Sequence, residues 1–145
     1  MIPVQIESDG VDLPPISTEW ISNICKTIFN DFENSDATIT IIFSTDTKLR
    51  ELKKEYFSQD VLTDTISFNL EEEGDAIEGE IYISLERVAD NAKKFNQTFE
   101  KECKRVIIHS MLHLLGIEDN SSKDKNKMTQ LEDYYLLNTI TADQD

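Results

Sequence analysis

The chain has 145 residues, which fits one domain (1–145) long enough to bury a real core. Hydrophobic residues make up 39% and charged residues 30%, the balance of a soluble globular protein, and no apolar run approaches the roughly 20 residues of a membrane span. A formal net charge of −15 argues against general affinity for nucleic acid, because phosphate binding rests on Lys and Arg; a local basic cleft is still allowed.

The start, "MIPVQIESDG", has no basic region followed by an apolar stretch, so no signal peptide is expected. "IPVQIE" alternates apolar and polar residues and predicts a first strand. Pro14 and Pro15 break the chain. Ser17 or Thr18 then caps a helix whose apolar face is Trp20, Ile21, Ile24, Cys25, Ile28, Phe29 and Phe32. "ATITIIF" (37–43) is β-branched and predicts a second strand. Thr45 can cap a short helix carrying Leu49, Leu52 and Tyr56. "DTISFNL" (64–70) sets Ile66, Phe68 and Leu70 on one face of a third strand. An acidic run, "EEEGDAIEGE" (71–80), reads as a solvated hairpin loop, and "EIYIS" (80–84) returns as the fourth strand. Ser84 caps a helix with Leu85, Val88, Ala89, Ala92 and Phe95, and Thr98 caps the next one, which runs through Cys103 to two histidines. A polar stretch after Gly116 leads to a last helix with Met128, Leu131, Tyr135 and Leu136. Cys25 and Cys103 each lie in an apolar helical pattern and read as reduced core thiols of a cytosolic protein. The order β-α-β-α-β-β-α-α-α predicts an α+β (mixed α/β) domain: one mixed sheet covered by helices.

His109 and His113 in "HSMLHLLGIED" are the only histidines. At i and i+4 on a helix they share one face and can point at one ion. Gly116 can take φ > 0 and end the helix, so the chain turns back and a residue a few places on can complete the set. Glu118, Asp119 and Asn120 are the candidates, and spacing favours Asp119. A zinc protease of the HExxH type carries a Glu base after its first histidine; Ser110 stands there instead, which removes the main proton acceptor of a peptidase.

These residues resemble the YbeY metalloproteins, bacterial endoribonucleases of ribosomal RNA maturation and small-subunit quality control. His109, His113, Leu114 and Gly116 match the family's His-x-x-x-His-Leu-x-Gly helix. "LTDTISF" (62–68) is similar to its Thr-Asp-Val-Leu-Ser-Phe strand, "EGEIYIS" to its Leu-Gly-Asp-Ile-x-Ile strand, and "MTQLED" to its Met-x-x-x-Glu helix at Met128 and Glu132. The likeness covers roughly residues 45 to 137 in order and spacing. It implies a roughly four-stranded mixed sheet with about five helices, a central metal-binding helix, and a cleft beside the 64–70 strand. It departs at two places. The family's third metal-binding histidine falls on Asp119, which still offers a zinc ligand as His2Asp but adds a negative charge. An arginine thought to bind RNA phosphate falls on Phe57, with Arg50, Lys53 and Lys54 nearby in sequence.

The leading expectation is therefore an endoribonuclease acting on single-stranded or ribosomal RNA, with one zinc ion held by His109, His113 and Asp119. Glu118 and Asp64 are the candidate proton acceptors. Asp64 can equally close a turn, and Glu118 can be a surface acid at a helix end. Thr63 and Ser67 suit either the cleft or ordinary turn chemistry. Glu80 can brace the metal helix or lie solvated on a sheet edge. A peptidase reading is weakened by Ser110. A third reading, a ribosome-assembly binding factor with a structural metal, draws on the charge of −15, which suits the basic proteins of the small subunit.

Overall fold

A computed structural model describes residues 2–71 and 76–144, with side chains as far as Leu137. Its elements are β1 (Val4–Ser8), α1 (Thr18–Asp31), β2 (Thr38–Ser44), α2 (Asp46–Phe57), β3 (Thr65–Asn69), β4 (Glu78–Ser84), α3 (Leu85–Lys94), α4 (Phe99–Leu114) and α5 (Ser122–Gln144). This is the predicted order, and the class is the expected α+β one. Side-chain caps start the helices where the sequence places them. Ser17, Thr45, Ser84 and Thr98 accept hydrogen bonds from the N–H groups of Trp20, Lys48, Arg87 and Lys101 at 3.1–3.2 Å. Ser17, not Thr18, is therefore the first cap.

The four strands form one sheet in the order β1-β2-β4-β3. β1, β2 and β4 run parallel, and β3 pairs antiparallel with β4 at the edge. Alternation along β2 and β4 sends Ile39, Ile41, Phe43, Ile81 and Ile83 into the main core with Ile24, Ile28 and Phe29 of α1 and Ile107, Ile108 and Met111 of α4. On the opposite face Leu49 and Leu52 of α2 cover Ile66, with Phe68 and Tyr82 packed alongside. The thiols of Cys25 and Cys103 are free and buried, and burial pushes both up to about 12, so they are inert core groups.

Three expectations change. β3 stops at Asn69, and Leu70 sits 56% exposed at the rim of the hollow between α2 and the sheet, with Tyr56 of the last turn of α2 also largely exposed. Phe95 is the C-cap of α3 and points outward instead of joining its apolar face. β4 begins at Glu78 and is an interior strand, so Glu80 is no edge carboxylate. It faces α2 and accepts the Tyr82 hydroxyl at 2.5 Å, away from the histidine helix. Of the acidic run, 72–75 lies outside the described residues; its ends are joined as a hairpin by Leu70 N–H to the Glu78 carbonyl at 2.8 Å.

Gly79 sets how closely α4 lies on the sheet. It is buried, and a Cβ there would meet Leu114 Cδ1 at 2.5 Å and Ile39 Cδ1 at 3.0 Å. Leu114 follows His113 directly, so this contact seats the end of the histidine helix. Gly79→Ala is expected to lower stability by about 1–3 kcal/mol, the usual cost of overpacking, read from urea midpoints. Because the clash is with the end of a leucine, its cost should be less than additive with Leu114→Val.

Candidate metal centre

Helix α4 is buried along most of its length, from Glu102 and Cys103 to Met111 and Leu112. His109 and His113 lie on its half-buried strip, facing a cleft beside β3. Their rings stand edge to face, 4.6 Å apart at 79°. The helix ends at Leu114, with Leu115 as its C-cap. Gly116 has φ 88°, and its N–H reaches the His113 carbonyl at 3.0 Å while that of Ile117 reaches Leu112 at 3.0 Å. This is the left-handed stop expected of a glycine in that place.

The reversal carries Asp119 back over the imidazoles. Its two oxygens lie 3.8 Å from His109 Nε2 and 3.6 Å from His113 Nε2. One ligand atom from each of the three residues falls within 4.8 Å of the others. Ligands about 2 Å from a tetrahedral zinc stand about 3.3 Å apart, so a small contraction of this set fits such an ion. The donors, two imidazoles and a carboxylate, are chemically suited to it. Glu118 and Asn120 go elsewhere: they are exposed, and Asn120 Nδ2 donates to Glu118 at 3.1 Å.

Sequence reasoning missed the partner that orients the first histidine. Glu132 of α5 is buried, and its Oε2 lies 2.7 Å from His109 Nδ1. An ionised carboxylate only accepts, so Nδ1 carries the proton and Nε2 presents a lone pair toward Asp119. Arg105 compensates the buried acid, donating to Glu132 at 2.9 Å and to Asp133 at 2.7 Å. Burial opposes a charge on the His109 ring, but the Glu132 hydrogen bond and the charges of Glu132, Asp64 and Asp119 outweigh it and raise its pKa. For His113, burial and then the charge of His109 prevail and lower it. The one signal available beforehand was Glu132's place in the "MTQLED" match, 23 residues from His109, and no local pattern pairs the two.

The cleft has a volume of about 520 Å³ and is walled by β3 and its approach. Asp64 lines it, half-buried; burial pushes its carboxyl above the ordinary range against the pull of His109. Ser110 is fully buried. Its hydroxyl donates to the Val106 carbonyl at 2.7 Å and lies 2.7 Å from Thr65 Oγ1. Ser67 donates to the Ser110 carbonyl at 3.4 Å, so these hydroxyls stitch α4 to β3. Thr63 donates to the Thr65 carbonyl at 3.3 Å, a turn contact. Phe57 and Lys53 form the far lip. Arg50 and Lys54 turn aside to Asp60, so of the three nearby cations only Lys53 lines the cleft.

The family model described as Endoribonuclease YbeY matches residues 5–139. A Chloroherpeton thalassium protein named Endoribonuclease YbeY is 47% identical over 106 residues, 73% of this chain and 74% of its own. One of the same name from Flavobacterium johnsoniae is 42% identical over 116 residues, 80% of each chain. A solution structure of a Thermotoga maritima protein matches with a TM-score of 0.61 at 28% identity, over 94% of this chain and 88% of that one. The chain belongs to the YbeY family.

The Glu132 contact makes a measurable claim. Glu132→Gln keeps an acceptor for Nδ1–H but removes the charge. Zinc affinity, measured by competition with a chelator, is expected to fall about 10–100-fold. An unchanged affinity would mean that the ring needs no such partner.

Proposed function

From that membership we infer that the chain, acting over 1–145 as one YbeY-like hydrolase domain, is a metal-dependent endoribonuclease in ribosomal RNA processing. It cuts single-stranded RNA and binds one zinc ion per chain through His109, His113 and Asp119. The observation that carries this reading is the meeting of those three donors in the cleft that Asp64 lines. When bound, the ion supplies Lewis acidity, acidifying water and polarising a phosphoryl oxygen.

The chain's own residues do the rest. Glu132 holds His109 in the tautomer whose Nε2 is free to bind. Asp64 is the preferred proton acceptor, taking the proton of the attacking hydroxyl, whether of water or of a ribose 2′-OH, on a carboxylate oxygen. Its raised pKa suits that role, since a base works best near the operating pH. Glu118 is the weaker candidate because it lies outside the cleft wall and is engaged with Asn120. Lys53 offers a cation to a phosphate.

The other readings are not favoured. A peptidase of the HExxH type needs a base at position 110, and Ser110 is buried between α4 and β3. A binding factor with a structural metal needs no acid such as Asp64 in an open cleft. The small ribosomal subunit remains the proposed partner, its basic proteins suiting a chain of charge −15. The cytoplasm is the proposed place of action; no described helix is long and apolar enough to cross a membrane.

The purified protein should carry near one zinc per chain, lost or weakened in Asp119→Ala. The zinc-loaded protein should cleave single-stranded RNA, with His113→Ala inactive though folded and Asp64→Asn slowed about 100-fold or more. Association of the zinc-loaded protein with the small subunit without RNA cleavage would restore the binding-factor reading.

A further inference from the structure

We propose that Phe57 is a stacking platform for one unpaired nucleobase of the RNA, and that Lys53 then turns to a neighbouring phosphate. This rests on the endoribonuclease reading and adds the way that the cleft grips its substrate.

Phe57 is the last residue of α2 and is 43% exposed at the lip of the cleft that holds His109 and Asp119. Its ring is braced. It stacks on Phe68 at 5.9 Å and 25°, and Phe68 is held edge-on by Tyr56 at 5.3 Å and by Tyr82 at 6.1 Å. Lys53, one turn earlier, sets its Nζ 4.6 Å from the centre of the Phe57 ring. The lip thus carries a half-exposed aromatic ring, stacked on Phe68 and met by a flexible ammonium.

Charge favours a base over a phosphate as the group received there. The chain carries −15, the cleft holds Asp64 and Asp119, and Lys53 is the one Lys or Arg among the described residues that line it. Phosphate contacts alone would be few and opposed by acids. Stacking needs no net charge, accepts any base, and on an aromatic platform exceeds what an exposed cation gains over the same ring. A base that displaces the Lys53 ammonium from Phe57 also frees that charge for the phosphate beside it.

The test mixes the zinc-loaded full chain rapidly with a single-stranded RNA of about ten nucleotides carrying 2-aminopurine at each position in turn. Stacking quenches the probe before cleavage. One position should be quenched by the wild type and by Phe57→Trp. Phe57→Leu keeps apolar cover for Phe68 but has no flat face; it should lose the quench and bind about tenfold more weakly. Lys53→Met should flatten the salt dependence of log K by about 0.7. Wild-type binding and quench in Phe57→Leu overturn the proposal. If that happens while the wild type cleaves RNA and His113→Ala does not, the endoribonuclease reading stands and only the platform falls. A zinc-loaded wild type that neither binds nor cleaves RNA overturns both.

Discussion

The hydrogen bond between His109 Nδ1 and Glu132, 2.7 Å long, is the contact on which the site turns. It decides which nitrogen is free to bind, and it joins two helices with no local reason to meet. A carboxylate as buried as Glu132 is costly without partners, so Arg105 must be in place as well. The whole arrangement requires α5 to dock, and the core supplies that. Met128, Tyr135 and Leu136 bury among the side chains of α1 and α4, and the Tyr135 hydroxyl donates to Asp31 at 2.8 Å. Apolar packing of the last helix is therefore what holds the polar contact at the first histidine.

The parts of the molecule that were legible in the sequence are those fixed by neighbours. Caps, helical periodicity, the His109–His113 pair and the stop at Gly116 each depend on a few adjacent residues, and each stands where the pattern predicts save at the helix ends, where Tyr56 and Phe95 turn outward. Asp119 was legible for the same reason: it stands three residues after a glycine whose left-handed φ turns the chain back, and spacing favoured it over its neighbours. What stayed hidden depends on which strands and helices meet. The order β1-β2-β4-β3 puts β3 at the edge and Glu80 inside, although a hairpin pattern says nothing of which arm lies outermost. Glu132 was in view as part of a matching motif, yet its partner is a turn of another helix. The nearby cations could not be told apart by spacing, because Asp60 captures Arg50 and Lys54 and leaves Lys53 to the cleft.

The charge of −15 and a polyanionic substrate can be reconciled by where the charges lie. Arg87 is engaged by Asp46 and Asp90, and Arg105 by Glu132 and Asp133. Among the described residues that line the cleft, the positive charge reduces to Lys53, joined by the ion proposed for the histidines. Asp119 makes that centre more negative than three histidines would, so the shortfall must be met by groups that bind without charge, and the braced ring of Phe57 is such a group.

Ser110 explains why, on the proposed reading, the base comes from the approach to β3 and not from the helix. In the HExxH arrangement the residue after the first histidine reaches the reacting centre from the helix itself. Here that residue is small, fully buried, and turned the other way, its hydroxyl between the Val106 carbonyl and Thr65. The position has become a fastener between α4 and β3. That fastening brings the approach to β3 against the histidine helix, which is what sets Asp64 in the cleft wall near the charge of His109. On the proposed reading, binding stays with the helix and proton transfer passes to the approach to the edge strand. The two functions are held in register by the Ser110–Thr65 contact and by the absence of a side chain at Gly79, which lets the end of α4 lie down on the sheet.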